Sequence, residues 1–114
     1  MYQDLVTNVR LVDSAFVVDL EGDLTPESEQ AVGRLHDELM KNTLTALVLN
    51  FSRVKYINSG GIAVLINLVT RVKDKGIVNR IRGFGLTSHF QRIFRMVGLD
   101  QYIELLETET QALS

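Results

Sequence analysis

The chain has 114 residues with a formal net charge of −2, enough for one domain that buries about two-thirds of its unfolded surface without a staple. It contains no cysteine, which excludes a disulfide framework, a thiolate metal site and a cysteine nucleophile. With a pI near 5.6 it lacks the basic footprint of a nucleic-acid binder, and only two histidines are available as metal ligands.

The start, Met1-Tyr2-Gln3-Asp4, has no basic stretch followed by an apolar run, so no signal peptide is expected. Leu5, Thr7, Val9 and Leu11 alternate with Val6, Asn8 and Arg10, the period of a strand. A turn at Val12-Asp13-Ser14 leads to a second strand, Ala15–Glu21, and the two are expected to pair as a hairpin. Asp19 and Glu21 are placed on its exposed side.

A helix follows, with Thr25 as N-cap and Pro26 at the first helical position, where a missing N–H costs nothing. Ala31, Val32, Leu35 and Leu39 recur at helical spacing and face the core; Lys41 and Asn42 end the helix. His36 reads as an ordinary surface histidine. Ala46–Asn50 is apolar on both faces, as the central strand of a covered sheet must be.

Ser59 lies where this strand passes through a short loop into the next helix, Gly60 to Lys75, which ends at Gly76. The helix begins nearly all apolar, with Ile62, Val64, Leu65, Ile66, Leu68 and Val69, then turns polar at Arg71, Lys73, Asp74 and Lys75. One or two of its first apolar side chains should reach the surface beside Ser59. The apolar run Gly60–Leu68 is too short to cross a bilayer.

Ile77–Phe84 reads as a strand, and Arg80 and Arg82 mark it as a charge-protected sheet edge. Ser88 and Gln91 have capping-box spacing ahead of the stripe Phe90, Ile93, Phe94, Val97, and Gly98-Leu99 closes that helix. His89 falls in its first turn, where a neutral ring is expected. Tyr102–Leu106 forms a last short strand or helix start, and 108–114 is a polar tail expected to fray. The order β-β-α-β-α-β-α predicts a single α/β domain over 1–114: a mixed, mostly parallel sheet of four to five strands packed with helices, opened by a hairpin.

Helix N-termini present free N–H groups and partial positive charge, so a phosphate on the Ser59 hydroxyl would be well received. The plainer reading is that Ser59 is only the N-cap, and the two roles are compatible. Gly60-Gly61 lacks the lysine and spacing of a P-loop; the pair is expected to let the helix start close to the preceding strand. No base stands near Ser59 in the sequence pattern and no acid–base pair is evident, so neither turnover nor a cofactor is expected. A lipid or nucleotide binder is permitted by the apolar helix start, but no ligand motif supports it.

Leu20-Glu21-Gly22-Asp23-Leu24, Leu47-Val48-Leu49-Asn50-Phe51-Ser52 through Ile57-Asn58-Ser59-Gly60-Gly61-Ile62, and Phe90-Gln91-Arg92-Ile93-Phe94 through Val97-Gly98-Leu99 occur in one order and spacing. In these segments the chain resembles the STAS domain family, and specifically its bacterial anti-sigma factor antagonists. The resemblance implies a cytoplasmic, non-catalytic module that acts by partner switching. The unmodified protein would bind an anti-sigma factor that is also a histidine-kinase-like serine kinase, phosphorylation at Ser59 would release it, and a phosphatase would reset it. It implies a contact surface of Asp23, Leu24, Thr25, Asn58, Ser59, Gly60, Gly61 and Ile62. Two positions depart from the family pattern: Asn58 stands where the family has aspartate, and Thr25 where an acidic residue is frequent. The alternative these departures favour is a STAS interaction or scaffold module in a signalling or transport assembly that is never phosphorylated.

Overall fold

The computed structural model describes residues 2–42, 45–76 and 78–114. Five strands, β1 (Val6–Val12), β2 (Ala15–Leu24), β3 (Ala46–Ile57), β4 (Arg80–Phe84) and β5 (Glu104–Leu106), form one sheet in sequential order. β1 and β2 pair antiparallel and the remaining pairs are parallel, which is the mixed sheet with an opening hairpin that the sequence predicts. The helices are α1 (Glu29–Leu39), α2 (Ser59–Asp74), α3 (Ser88–Met96) and a short α4 (Glu109–Leu113).

The alternation of the strands sorts two cores. Phe16, Val18 and Leu20 of β2, with Leu47, Leu49 and Phe51 of β3, face α1, α2 and α3 and form the larger one. Phe51 and Phe94 meet edge-on there, ring centroids 5.6 Å apart. Val17, Val48 and Phe84 point the other way and pack with Ala112 of α4. The apolar run 47–49 is thus buried on both faces.

β3 runs seven residues past the expected Asn50. Its β4 partner stops at the Asn50–Phe84 pair, but β2 continues alongside as far as Leu24–Ile57. One side of this extension is paired and the other wet, so its sequence is polar and reads as loop.

The segment 108–114 differs from the expected frayed tail. Thr108 caps α4, and Ala112 is 1% exposed against the sheet. Two arginines hold it. Arg82 donates from Nη1 to the carbonyls of Ala112 (2.9 Å) and Ser114 (2.7 Å) and from Nε to Glu104. Arg10 pairs with both Glu109 and Asp19. Arg82 therefore does not guard an edge: β4 lies between β3 and β5, and the arginine spends its donors on α4. Ile77, the expected start of that strand, lies outside the described residues.

Other expectations shift locally. Thr87, not Ser88, caps α3, and the Gln91 side chain donates to the Leu86 carbonyl instead of closing a capping box. Val97 is 46% exposed although it falls on the apolar stripe. His36 is buried between α1 and α2 rather than on the surface, and its Nε2 has no partner among the described residues. Gly76 and Gly98 adopt left-handed φ values of 62° and 82° just past α2 and α3, as terminating glycines do.

Asp19 is not a free surface carboxylate. Arg10 holds it below the usual carboxylate range by hydrogen bonding, burial opposes that shift, and Asn50 Nδ2 donates a further bond at 2.8 Å. A carboxyl with a lowered folded-state value stabilises the fold above about pH 4 and loses that contribution as pH falls through the lowered value. Asp19→Asn should therefore be less stable than wild type at neutral pH, and the two urea-denaturation midpoints should converge on acidification. A constant difference between the midpoints down to about pH 2 would contradict the pairing.

Candidate functional site

β3 ends at Ile57, whose buried side chain anchors the strand, and the chain turns at once into α2. Asn58 is the N-cap, with extended backbone (φ −105°, ψ 177°), and its Oδ1 accepts the Gly61 N–H at 2.8 Å. Its carbonyl accepts the Ile62 N–H, and its own N–H donates to the Leu24 carbonyl at 3.2 Å. Ser59 is thus the first helical residue and not the cap. It is exposed, and neither its hydroxyl nor the N–H groups of Ser59 and Gly60 make a hydrogen bond among the described residues.

The two positions that depart from the pattern the chain resembles, Asn58 and Thr25, are both caps. Asparagine caps a helix as well as aspartate does, so Asn58 keeps the geometry and drops the charge. Thr25 caps the 3-10 turn Pro26–Ser28: its hydroxyl accepts the Glu27 N–H at 3.3 Å and donates to Glu27 Oε2 at 2.7 Å. The Ser28 hydroxyl reciprocates, accepting the Thr25 N–H and donating to the Asp23 carbonyl, each at 3.0 Å. The Thr25 hydroxyl, followed by the backbone at Glu27, holds the Glu27 carboxyl below its usual range.

The two glycines are required by a close approach. A Cβ on Gly61 would lie 1.9 Å from the Leu24 carbonyl oxygen, and one on Gly60 would lie 2.3 Å from Cγ of Pro26. The start of α2 is pressed against the end of β2 and the turn that follows it, where the sequence pointed to the preceding strand β3.

The expected contact residues do gather at this one end of the sheet, but at different depths. Leu24, Thr25 and Asp23 are 1%, 4% and 6% exposed and form the base of the site. Gly61 is also buried; Asn58, Gly60 and Ile62 are half-buried and Ser59 exposed. On α2, Ala63 is exposed and Ile62 and Ile66 are half-buried, so apolar side chains do reach the surface in the turns after Ser59. α2 carries no acidic residue in its first turn and carries Arg71 and Lys73 in its last, so its dipole is uncompensated only at the serine end.

Beside Asn58 opens a groove of about 900 Å³, lined by Tyr2, Asp23, Glu27, Lys55 and Tyr56 among others. Sequence reasoning missed its two tyrosines. Tyr56, an aromatic residue in the polar stretch before Asn58, was the available signal. Tyr2 joins through its neighbour Gln3, as only the fold reveals: the Gln3 backbone N–H donates to the Asp23 side chain at Oδ2 (2.9 Å), and the Asp23 N–H donates back to the Gln3 carbonyl (3.0 Å). No group of metal-ligating side chains occurs among the described residues, and no helix there is long and apolar enough to cross a membrane.

Capping makes a direct prediction. Asn58→Ala should lower stability by about 1 kcal/mol in urea denaturation, whereas Asn58→Asp should match or exceed wild type. An alanine variant as stable as wild type would contradict the capping role.

Comparison with known proteins agrees with this architecture. The family model described as "Mlab, STAS domain" matches residues 7–107. Among solved structures, an anti-sigma factor antagonist from Mycobacterium paratuberculosis is similar at 24% identity and a TM-score of 0.73, over 96% of this chain and 92% of that one. The anti-sigma factor antagonist SpoIIAA in its unphosphorylated form is similar at 16% identity and a TM-score of 0.70, over 95% and 93%. The Bacillus cell fate determinant SpoIIAA in its phosphorylated form is similar at 15% identity and 0.67, over 95% and 96%. No curated protein matches by sequence. With the family model spanning nearly every element of the sheet and its helices, the chain belongs to the STAS domain family.

Proposed function

We propose that this protein is an anti-sigma factor antagonist that works by partner switching and is regulated by reversible phosphorylation at Ser59. The observation that carries the reading is the exposed Ser59 hydroxyl at the first position of α2, free of any capping duty. A STAS fold of the same kind, SpoIIAA, is known in both a phosphorylated and an unphosphorylated form. Unmodified, the Asn58–Gly60 segment with Ile62 and Ile66 offers a small, largely uncharged surface to the anti-sigma factor.

The acceptor serine needs no base of its own. The docked anti-sigma factor, a histidine-kinase-like serine kinase, supplies one and transfers the γ-phosphoryl of ATP to Ser59 Oγ. The added group carries about −1.5 to −2 charges. The free N–H groups of Ser59 and Gly60 and the α2 dipole hold it in place. Re-forming the complex then requires stripping water from a dianion against Ile62, which is costly, so the partner leaves. A phosphatase hydrolyses the ester and restores the surface.

A second reading is a constitutive STAS scaffold in a signalling or transport assembly. Asn58 favours it, because the cap here lacks the carboxylate that a kinase would meet in the family pattern.

The test uses the anti-sigma factor captured from the native cell by affinity and titrated by calorimetry. Ser59→Asp should weaken binding by roughly tenfold or more, and Ser59→Ala should bind like wild type. Incubation with that partner and ATP should add one phosphate to wild type and none to Ser59→Ala by intact mass. Equal affinity of both variants together with no mass gain leaves the scaffold reading standing.

A further inference from the structure

The groove beside Asn58 has a chemistry that the phosphoserine switch does not use. Asp23 is only 6% exposed, yet it lines the groove. Its Oδ2 accepts the Gln3 N–H, while its Oδ1 has no hydrogen-bond partner among the described residues. That oxygen faces the groove with its acceptor capacity free for a donor from a ligand. Glu27 brings a second carboxylate, which the Thr25 hydroxyl keeps ionised. Among the described residues, Lys55 is the one cation on the lining.

Two aromatic rings complete the groove. Tyr2 is 46% and Tyr56 52% exposed, large apolar faces left in water next to carboxylates. Charge excludes an anion as the preferred occupant. An ammonium would satisfy the charge but would leave the planar fork of a carboxylate and the ring faces poorly used. A guanidinium does both: it stacks on aromatic faces and donates paired in-plane bonds to a carboxylate.

We propose that the groove between Tyr2, Tyr56, Asp23 and Glu27 receives an arginine side chain of the protein that docks at Ser59. The inference rests on the docking reading for its partner but on the groove alone for its chemistry. The guanidinium bonds to Asp23 Oδ1 and Glu27 and lies against the tyrosine rings. The slot fixes the register in which the partner meets the start of α2. A phosphoryl group on Ser59 would compete for the same guanidinium and draw it off Asp23.

The test is an NMR titration of the ¹⁵N-labelled full chain with three blocked tripeptides, acetyl-Gly-X-Gly-amide, where X is arginine, lysine or citrulline. The arginine peptide should shift the amides of Gln3, Asp23, Thr25 and Tyr56 saturably, with the lysine peptide several-fold weaker and the citrulline peptide without saturable effect. Tyr56→Ala should weaken the arginine peptide about threefold and Asp23→Asn, which keeps the acceptor for Gln3, about tenfold. Equal shifts from arginine and citrulline peptides, no saturable shift at these amides, or indifference to both substitutions would overturn the proposal. Because these peptides carry no kinase and need no phosphate, a negative result leaves the Ser59 calorimetry untouched, and failure of the calorimetry leaves this slot standing.

Discussion

One contact governs this end of the molecule: the backbone of α2 at Gly60-Gly61 lies directly against Leu24 and Pro26. The Leu24 carbonyl is the pivot. It accepts the Asn58 N–H at 3.2 Å and stands where any side chain on Gly61 would have to be. The contact closes the gap between the end of β2 and the start of the helix after β3. It buries Leu24 and Thr25, and it leaves the first helical residue on the outside. The glycines serve here through absent volume, since any Cβ would force the two segments apart.

The rest of the sheet supplies the rigidity that such a contact needs. β3 is the longest strand, with Leu47, Val48 and Leu49 all fully buried, and it delivers Asn58 to a fixed position. On the helical side the larger core packs α2 down through Leu65, Leu68, Val69 and Val72. On the other side α4 covers what would be an open apolar patch of Val17, Val48 and Phe84. The cover is tied by arginines to carboxylates and carbonyls. Apolar burial thus carries the packing, and charged hydrogen bonds set the position of one short helix.

Much of this was legible in the sequence because the signals were local. The strand period of β1, the Thr25-Pro26 start and the two-faced run at 47–49 each report a local environment that the fold preserves, although Leu11, on the expected apolar face of β1, is 65% exposed. Where local and tertiary demands differ, the reading failed. Arg82 looks like an edge residue because its partners, Ala112 and Ser114, lie some thirty residues away. The tail 108–114 reads as polar because only Ala112 of its short helix is fully buried, and the arginines that hold it lie far off in sequence. His36 sits within a polar stretch of α1 yet turns into the seam with α2. At the start of α2 the cap falls one residue before Ser59, because asparagine and serine are both good caps and only geometry decides between them. Tyr2 was illegible for the same reason as Arg82: it reaches the site through Gln3 pairing with Asp23, twenty residues on.

The account stands on the claim that the start of α2 is built to hold charge on the Ser59 oxygen. The most direct measurement is the second ionisation of a phosphoserine installed at position 59, followed by ³¹P NMR as a function of pH. Free N–H groups and the helix dipole stabilise the dianion, so the account predicts a value clearly below the ordinary phosphoserine value of about 6. A value at or above that of the urea-unfolded chain would mean that the helix end gives the phosphate no reception, and would contradict it.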